Sequence, residues 1–142
     1  MNLSKTTEYA IQILIHLGRD ETQLQTSKNI HELLNIPPKY LWKIMNSLQS
    51  LKFVSSVRGK NGGYKINTPL SQIFIIDIVK LFQSFDAIHR CILGYSECSV
   101  SNPCTIHRFW ESGDKQFNEM LTNVSIKELI NENLLTDKGE VK

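Results

Sequence analysis

Cysteine is scarce in this chain: three residues among 142, all between positions 91 and 104. An odd number so closely grouped does not make the disulfide framework of a small secreted domain, and a clustered ligand set explains it better. Long apolar runs are also missing. The leucine- and isoleucine-rich stretches are broken by polar residues well short of membrane-spanning length, so no transmembrane helix is expected. The opening residues, Met1-Asn2-Leu3-Ser4-Lys5-Thr6-Thr7-Glu8, lack the basic region, apolar run and small-residue cleavage site of a secretory signal, and a cytoplasmic location is the expectation. There is no phosphate-binding glycine loop, nucleophile motif or carboxylate pair set by spacing, which argues against an enzyme.

One sign of charge is absent from a long central stretch. Residues 33–76 contain no Asp or Glu, while Lys39, Lys43, Lys52, Arg58, Lys60 and Lys65 supply six cations there. The remainder carries ten cations and fourteen anions, so the net charge of +2 conceals a polarised molecule.

What is present reads as mainly helical. Ser4 can cap a helix over residues 5–17, in which Tyr9, Ala10, Ile13, Leu14 and Leu17 share a face and Gly18 marks the stop. Ser27 precedes a second helix, with Ile30, Leu33 and Leu34 on one side and its end at Asn35. Pro37 and Pro38 bar continuation yet suit a helix's first turn, so a third helix can start at once with Leu41, Ile44, Met45, Leu48 and Leu51 on its buried face. Two short helices joined this tightly form a helix-turn-helix candidate. Strand chemistry over residues 53–57 and 63–67, around Arg58-Gly59-Lys60-Asn61-Gly62, predicts a hairpin with a basic, glycine-rich tip. An apolar stretch over residues 73–85 has helical spacing at Ile75, Ile78, Val79 and Phe82, although its β-branched start also suits a short strand. The turn-rich cysteine segment reads as a loop. From Thr105 a long helix carries Ile106, Phe109, Trp110, Gly113, Phe117, Met120 and Leu121 as one stripe that wants a partner. Ser125 and Glu128 make a capping box for a last helix over residues 126–131, and residues 134–142 are expected to fray.

The third helix presents Lys39, Tyr40 and Lys43, with Trp42, Asn46 and Ser47 as further candidates, on the part of a recognition helix that reaches base edges and phosphates in the major groove. Ser27 and Lys28 open the helix before it. Arg58, Gly59, Lys60, Asn61 and Gly62 form a basic hairpin tip suited to the backbone or the minor groove. Any one of these features is common in small proteins. Their coincidence with the acid-free stretch points to double-stranded DNA, because such binding is largely phosphate neutralisation.

The cysteines are spaced Cys91-x6-Cys98-x5-Cys104, with His107 shortly after. Thiolates are soft ligands for zinc or iron-sulfur clusters, and zinc sites usually show cysteine pairs two to four residues apart, which are lacking here, so a cluster is favoured. A structural zinc and a thiol switch are the alternatives. For a fourth ligand, His107 on the first turn of the long helix competes with Glu8, which a partner subunit's first helix could bring to the loop. His16, His31 and His89 have no spacing that recommends them.

These residues together resemble the winged-helix iron-sulfur transcription regulators that include IscR, NsrR, RirA and RsrR. The resemblance runs along about the whole chain: Leu3-Ser4-Lys5 with Tyr9-Ala10, the Tyr40-Leu41 region, Val57-Arg58-Gly59-Lys60-Asn61-Gly62-Gly63-Tyr64, the cysteine triad and Ser125-Ile126-Lys127-Glu128-Leu129. It implies a homodimer formed by the long helices, a palindromic operator and DNA affinity governed by a 4Fe-4S or 2Fe-2S cluster sensing nitric oxide, redox state or iron-sulfur status, with repression as the expected sign. IscR-like members use a histidine matching His107, and NsrR-like members an acidic residue matching Glu8. RsrR-like members also use the acidic residue, with a histidine where this chain has Gln12, a departure that argues against that ligand set. The expected organisation is a winged helix-turn-helix domain over residues 1–85, a cluster-binding loop over 86–107, and a dimerisation helix with a C-terminal helix over 105–142.

Overall fold

The computed structural model describes residues 2–96 and 101–131. Cys98 and the fraying expected over residues 134–142 lie outside them.

The first helix, α1 (Lys5–Arg19), begins where Ser4 Oγ accepts the Thr7 amide hydrogen at 3.1 Å. Gln83 Oε1 accepts from the Ser4 amide at 2.8 Å and from the Thr7 hydroxyl at 2.7 Å, tying this cap to a distant segment. The helix runs through Gly18 rather than stopping there. A Cβ at Gly18 would lie 2.4 Å from Leu70 Cδ1 and 2.5 Å from Ile130 Cδ1, so this glycine serves close packing.

Thr26, not Ser27, caps α2 (Ser27–Leu34), accepting from the Asn29 amide at 3.1 Å. Asn35 closes that helix in the left-handed conformation, φ 54°. The recognition-helix candidate α3 (Pro38–Ser50) follows with proline in its first turn, burying Leu41, Ile44, Met45 and Leu48. Two residues expected on buried faces are exposed. Leu33 and Leu34 flank Ile30 on opposite shoulders, and only Leu34 packs on the core, leaving Leu33 53% exposed. Leu51 lies beyond the end of α3, where Lys52 turns the chain at φ 61°, and is 45% exposed.

The hairpin pairs β1 (Val54–Val57) with β2 (Gly63–Ile66) antiparallel, Val54 opposite Ile66 and Val57 opposite Gly63. Each strand is one residue shorter than expected. Gln25 and Tyr64 exchange backbone hydrogen bonds at 3.0 and 2.8 Å, which fastens the hairpin to the approach to α2.

The apolar stretch over residues 73–85 is not one helix. Phe74 makes a bridge to Ser125, α4 (Ile75–Phe82) follows, and the chain turns extended at Gln83 before the short α5 (Phe85–Ile88). Gln83 leaves the helix and gives its side chain to the cap of α1. The long helix α6 (Thr105–Asn123) and the closing α7 (Ile126–Asn131) complete the described elements. Glu128 Oε2 accepts from the Ser125 amide at 2.7 Å while Ser125 Oγ accepts from the Glu128 amide at 3.4 Å, the expected capping box. The Ser125 amide and hydroxyl, both donating to Oε2, hold the Glu128 carboxyl below its ordinary pKa.

The main core joins α1, α2, α3, the hairpin and α7 through Ile13, Leu14, Ile30, Ile44, Leu48 and Ile126. Each such side chain contributes about 1.5–3 kcal/mol on burial. A smaller cluster of Ile75, Val79, Ile88 and Leu121 attaches α6 to α4.

Candidate nucleic-acid interface and cysteine cavity

Positioning of the DNA-binding candidates follows from the core. Burying Leu41, Ile44 and Leu48 turns the opposite face of α3 outward, so Lys39, Tyr40, Trp42, Lys43 and Asn46 are exposed; Trp42 reaches 67%. Ser47 is half-buried. Tyr40 also meets Tyr9 of α1 edge-on, ring centroids 6.4 Å apart, which restricts where its hydroxyl can go.

Arg58, Gly59, Lys60 and Asn61 are exposed at the hairpin tip, with Gly62 half-buried behind them. The glycines are demanded by backbone geometry. A Cβ on Gly62 would lie 2.0 Å from the Val57 carbonyl oxygen, and one on Gly63, at φ 153°, would lie 2.7 Å from that of Gln25. The tip is closed by the Gly62 amide donating to the Gly59 carbonyl at 3.0 Å.

A polar cleft of about 420 Å³ connects this tip to the helices, lined by Ser27, Asn46, Gln49, Ser56, Arg58 and Gly62 among others. Ser27, Asn46, Arg58 and Gly62, read separately from the sequence, therefore share one surface. Lys28 lies exposed on the first turn of α2. Gln49 and Ser56 are additions that the sequence alone does not single out. They join the cleft through a hydrogen bond from the Ser56 hydroxyl to Gln49 Oε1 at 3.2 Å, and the only sequence signal for them is that both are neutral in the acid-free stretch. The cleft offers hydroxyls, amides and a guanidinium with no carboxylate among its walls, an arrangement suited to phosphate and sugar contacts.

Cysteine chemistry gathers elsewhere. Cys91, Cys104, His107 and His89 line one cavity of about 180 Å³, with Ile106 and Trp110 among its other walls. Cys91 and Cys104 are free thiols, the first half-buried and the second exposed. Cys104 caps α6, its carbonyl accepting the His107 amide hydrogen at 3.1 Å, so the helix start fixes both residues against the cavity. The His107 ring sits one turn before Glu111, Nε2 to Oε2 3.8 Å, and tilts toward Trp110. Glu8 faces elsewhere on its own chain: Lys5 Nζ donates to its Oε2 at 3.0 Å, raising the lysine's pKa, and it is not among the cavity's walls. Cys98 lies outside the described residues. Among the described residues no three His, Cys, Asp or Glu side chains converge on a single-ion site.

His89 has no recommendation in the sequence and acquires one here. Its Nδ1 lies 2.5 Å from Asp114 Oδ1 on α6, and its Nε2 is buried without a hydrogen-bond partner. The two residues are far apart in sequence, so no local pattern joins them. His16, half-buried on α1, likewise has an unpartnered buried Nε2, and burial holds its pKa below the ordinary value.

Two helices joined by a tight turn and followed by a two-stranded basic hairpin, with no acid in α3 or the hairpin, make a winged-helix DNA-binding protein. Residues 3–132 match the family model described as Rrf2, iron-dependent transcriptional regulator. The chain belongs to the Rrf2 family, whose members are transcriptional regulators and not enzymes. It is 32% identical over 133 residues to a putative HTH-type transcriptional regulator of Aquifex aeolicus, covering 92% of each chain. It is 30% identical over 132 residues to the regulator NsrR of Oceanobacillus iheyensis, covering 92% of this chain and 90% of that one. Among solved structures, the oxidised form of CymR from Staphylococcus aureus superposes with a TM-score of 0.70 at 26% identity, over 92% of this chain and 96% of that one. No helix among the described residues is long and apolar enough to cross a membrane.

Proposed function

We propose that this regulator binds a palindromic DNA operator as a homodimer and represses transcription under the control of an iron-sulfur cluster held by Cys91, Cys98 and Cys104. The observation that carries the reading is the shared cavity. Cys91 and Cys104, at the two ends of the cysteine segment, stand together with His107 at the foot of α6. Soft sulfur donors with a neighbouring imidazole fit an iron-sulfur group. The family's description as iron-dependent supports the same choice.

Within this reading the chain's parts divide the work. Lys39, Tyr40 and Lys43 on α3 read the major groove, Ser27 and Lys28 meet the backbone, and Arg58 to Gly62 reach the minor groove. The exposed Ile106, Phe109 and Met120 of α6 form the dimer contact, so that α6 of one protomer lies against that of its partner. Because Leu121 at the far end of α6 packs on α4, ordering the cysteine loop fixes α6 relative to the recognition helix and hence the spacing of the two half-sites. Bound there, the cluster supplies sensitivity to nitric oxide, oxygen or iron shortage, and its loss relaxes that geometry.

The test is the visible spectrum and the iron and sulfide content of protein purified without oxygen, beside Cys98→Ala. Brown protein containing both elements, bleached by the substitution, is expected. Colourless protein holding one zinc per chain would replace the sensor with a structural metal. A thiol switch is the second reading, favoured by the free Cys91 and Cys104 and by the oxidised form of the Staphylococcus aureus neighbour. Metal-free protein whose DNA affinity changes on thiol oxidation would establish it.

A further inference from the structure

We propose that Gln49, positioned by Ser56, donates to a backbone phosphate of bound DNA in the cleft between α3 and the hairpin. The inference deepens the DNA-binding reading above and takes nothing from the cluster.

Gln49 is the penultimate residue of α3. Directly after it the Lys52 amide donates to the Gln49 carbonyl at 2.9 Å and the Phe53 amide to the Leu48 carbonyl at 3.0 Å, which folds β1 back beside the end of the helix. Ser56, exposed on β1, thereby meets the half-buried Gln49, and its hydroxyl donates to Gln49 Oε1 at 3.2 Å. Ser56 is itself held opposite Tyr64, whose backbone exchanges hydrogen bonds with Gln25 just before α2. Three elements therefore fix the walls of the cleft of about 420 Å³ that both residues line.

With its oxygen engaged, the Gln49 side chain is left with Nε2, which only donates. Such a donor calls for an acceptor. The charged residue among the cleft's walls is Arg58, and no carboxylate is among them, so an anion is the acceptor that fits. The place of Gln49 on the helix favours phosphate over base. It lies nine residues beyond Tyr40, about 13–14 Å along the axis at about 1.5 Å per residue. The major groove is about 12 Å wide. With Tyr40 and Lys43 at the base edges, Gln49 stands at the rim of the groove, where the sugar-phosphate strand passes. Neutral amide donors commonly meet phosphate oxygens there. The bond from Ser56 orders a long side chain before DNA arrives, which lowers the entropic cost of the contact. Ser56 is a positioning residue in this scheme.

The test uses full-length protein purified without oxygen and a duplex that it selects from a random pool, titrated at one salt concentration. A series of that duplex carries one methylphosphonate at a time, which removes the charge of a single phosphate. Gln49→Ala should bind about 10-fold more weakly, and one methylphosphonate that weakens binding by the unaltered protein should cost this variant nothing further. Gln49→Glu keeps an acceptor for Ser56 and replaces the donor by a carboxylate, so it should melt as before and bind more weakly than Gln49→Ala. Ser56→Ala should show a smaller loss, confined to that same phosphate. The bases selected should be the same for every variant, because a phosphate contact carries no sequence information. Unaltered affinity in Gln49→Ala, or equal methylphosphonate penalties with and without Gln49, would overturn the proposal. Full affinity in Gln49→Glu would make the residue only a brace for the hairpin, and a change in the selected bases would make it a base reader; either result overturns the assignment and leaves the DNA-binding surface standing. Failure of the unaltered protein to select any duplex would overturn both.

Discussion

In the winged-helix body, α1, α3 and α7 converge so closely that Ile13, Leu14, Ile44, Leu48 and Ile126 have no exposed surface. The segment from α5 through α6 is built otherwise. Its 19-residue helix fully buries Leu121 and leaves Phe109 79% and Ile106 45% exposed, and Cys91 and Cys104 beside it are free thiols. The body satisfies most of its apolar and polar groups within one chain, whereas the second region carries an apolar face, free thiols and a buried imidazole nitrogen that the described residues do not satisfy. An amphipathic helix specifies that one face must be covered and says nothing of which molecule covers it. Under the proposed function a second copy and an iron-sulfur cluster do so.

The sharpest way to break this contrast is a matched pair of truncations. Leu48→Ala, in the body, should lower the free energy of unfolding by about 2–5 kcal/mol in a urea titration. Phe109→Ser, on α6, should change monomer stability by less than about 0.5 kcal/mol while shifting sedimentation toward the monomer. Equal destabilisation by both would show that α6 is as much a part of the single-chain core as α3.

A smaller effect is expected where the body meets its own hairpin. Gly63→Ala places a Cβ 2.7 Å from the Gln25 carbonyl oxygen at φ 153° and should cost about 1–3 kcal/mol, read as a lowered melting temperature. Under the proposed function iron content should be unchanged, since the hairpin lies on the body and its tip cleft shares no residue with the cysteine cavity. Replacing Arg58 and Lys60 together by alanine should leave stability alone and flatten the dependence of log affinity for DNA on log salt by about 0.9 for each phosphate no longer neutralised. An unaltered slope would remove the hairpin tip from the interface.

The smallest effect concerns His16, a buried polar group inside the body itself. Burial lowers its pKa from 6.5 in the folded chain, so the unfolded chain binds the proton more readily. Stability should therefore rise with pH between the lowered folded value and 6.5 and be flat above it. His16→Gln should remove that part of the slope in denaturant titrations between about pH 5 and 8. An unchanged slope would place the titration on another group.

Legibility in the sequence follows the same division. The helices of the body, the two-proline start of α3, the capping box at Ser125 and the glycine-rich hairpin rest on neighbours in sequence, and local rules find them. Gly18 reads as a helix stop because the same residue serves as a stop and as a close-packing site; only Leu70 and Ile130, remote in sequence, decide between them. Leu51 keeps the helical period but lies past the end of α3, at the turn through Lys52. The break after Phe82 depends on Gln83 reaching back to Ser4 and Thr7. At the cavity, the cysteines and His107 are legible from chemistry and spacing, whereas His89 acquires meaning only through Asp114, on another helix. Gln49 and Ser56 give no signal because a neutral side chain in a cleft has no periodic signature.

If the region left unsatisfied within one chain controls the region that binds DNA, losing the cluster must be felt at the operator. The most direct measurement is the affinity of anaerobically purified protein for a duplex selected from a random pool, taken at one salt concentration before and after removal of iron by a chelator. A change in affinity on losing the iron, abolished in Cys98→Ala, is the predicted result; identical affinity with and without the cluster would contradict it.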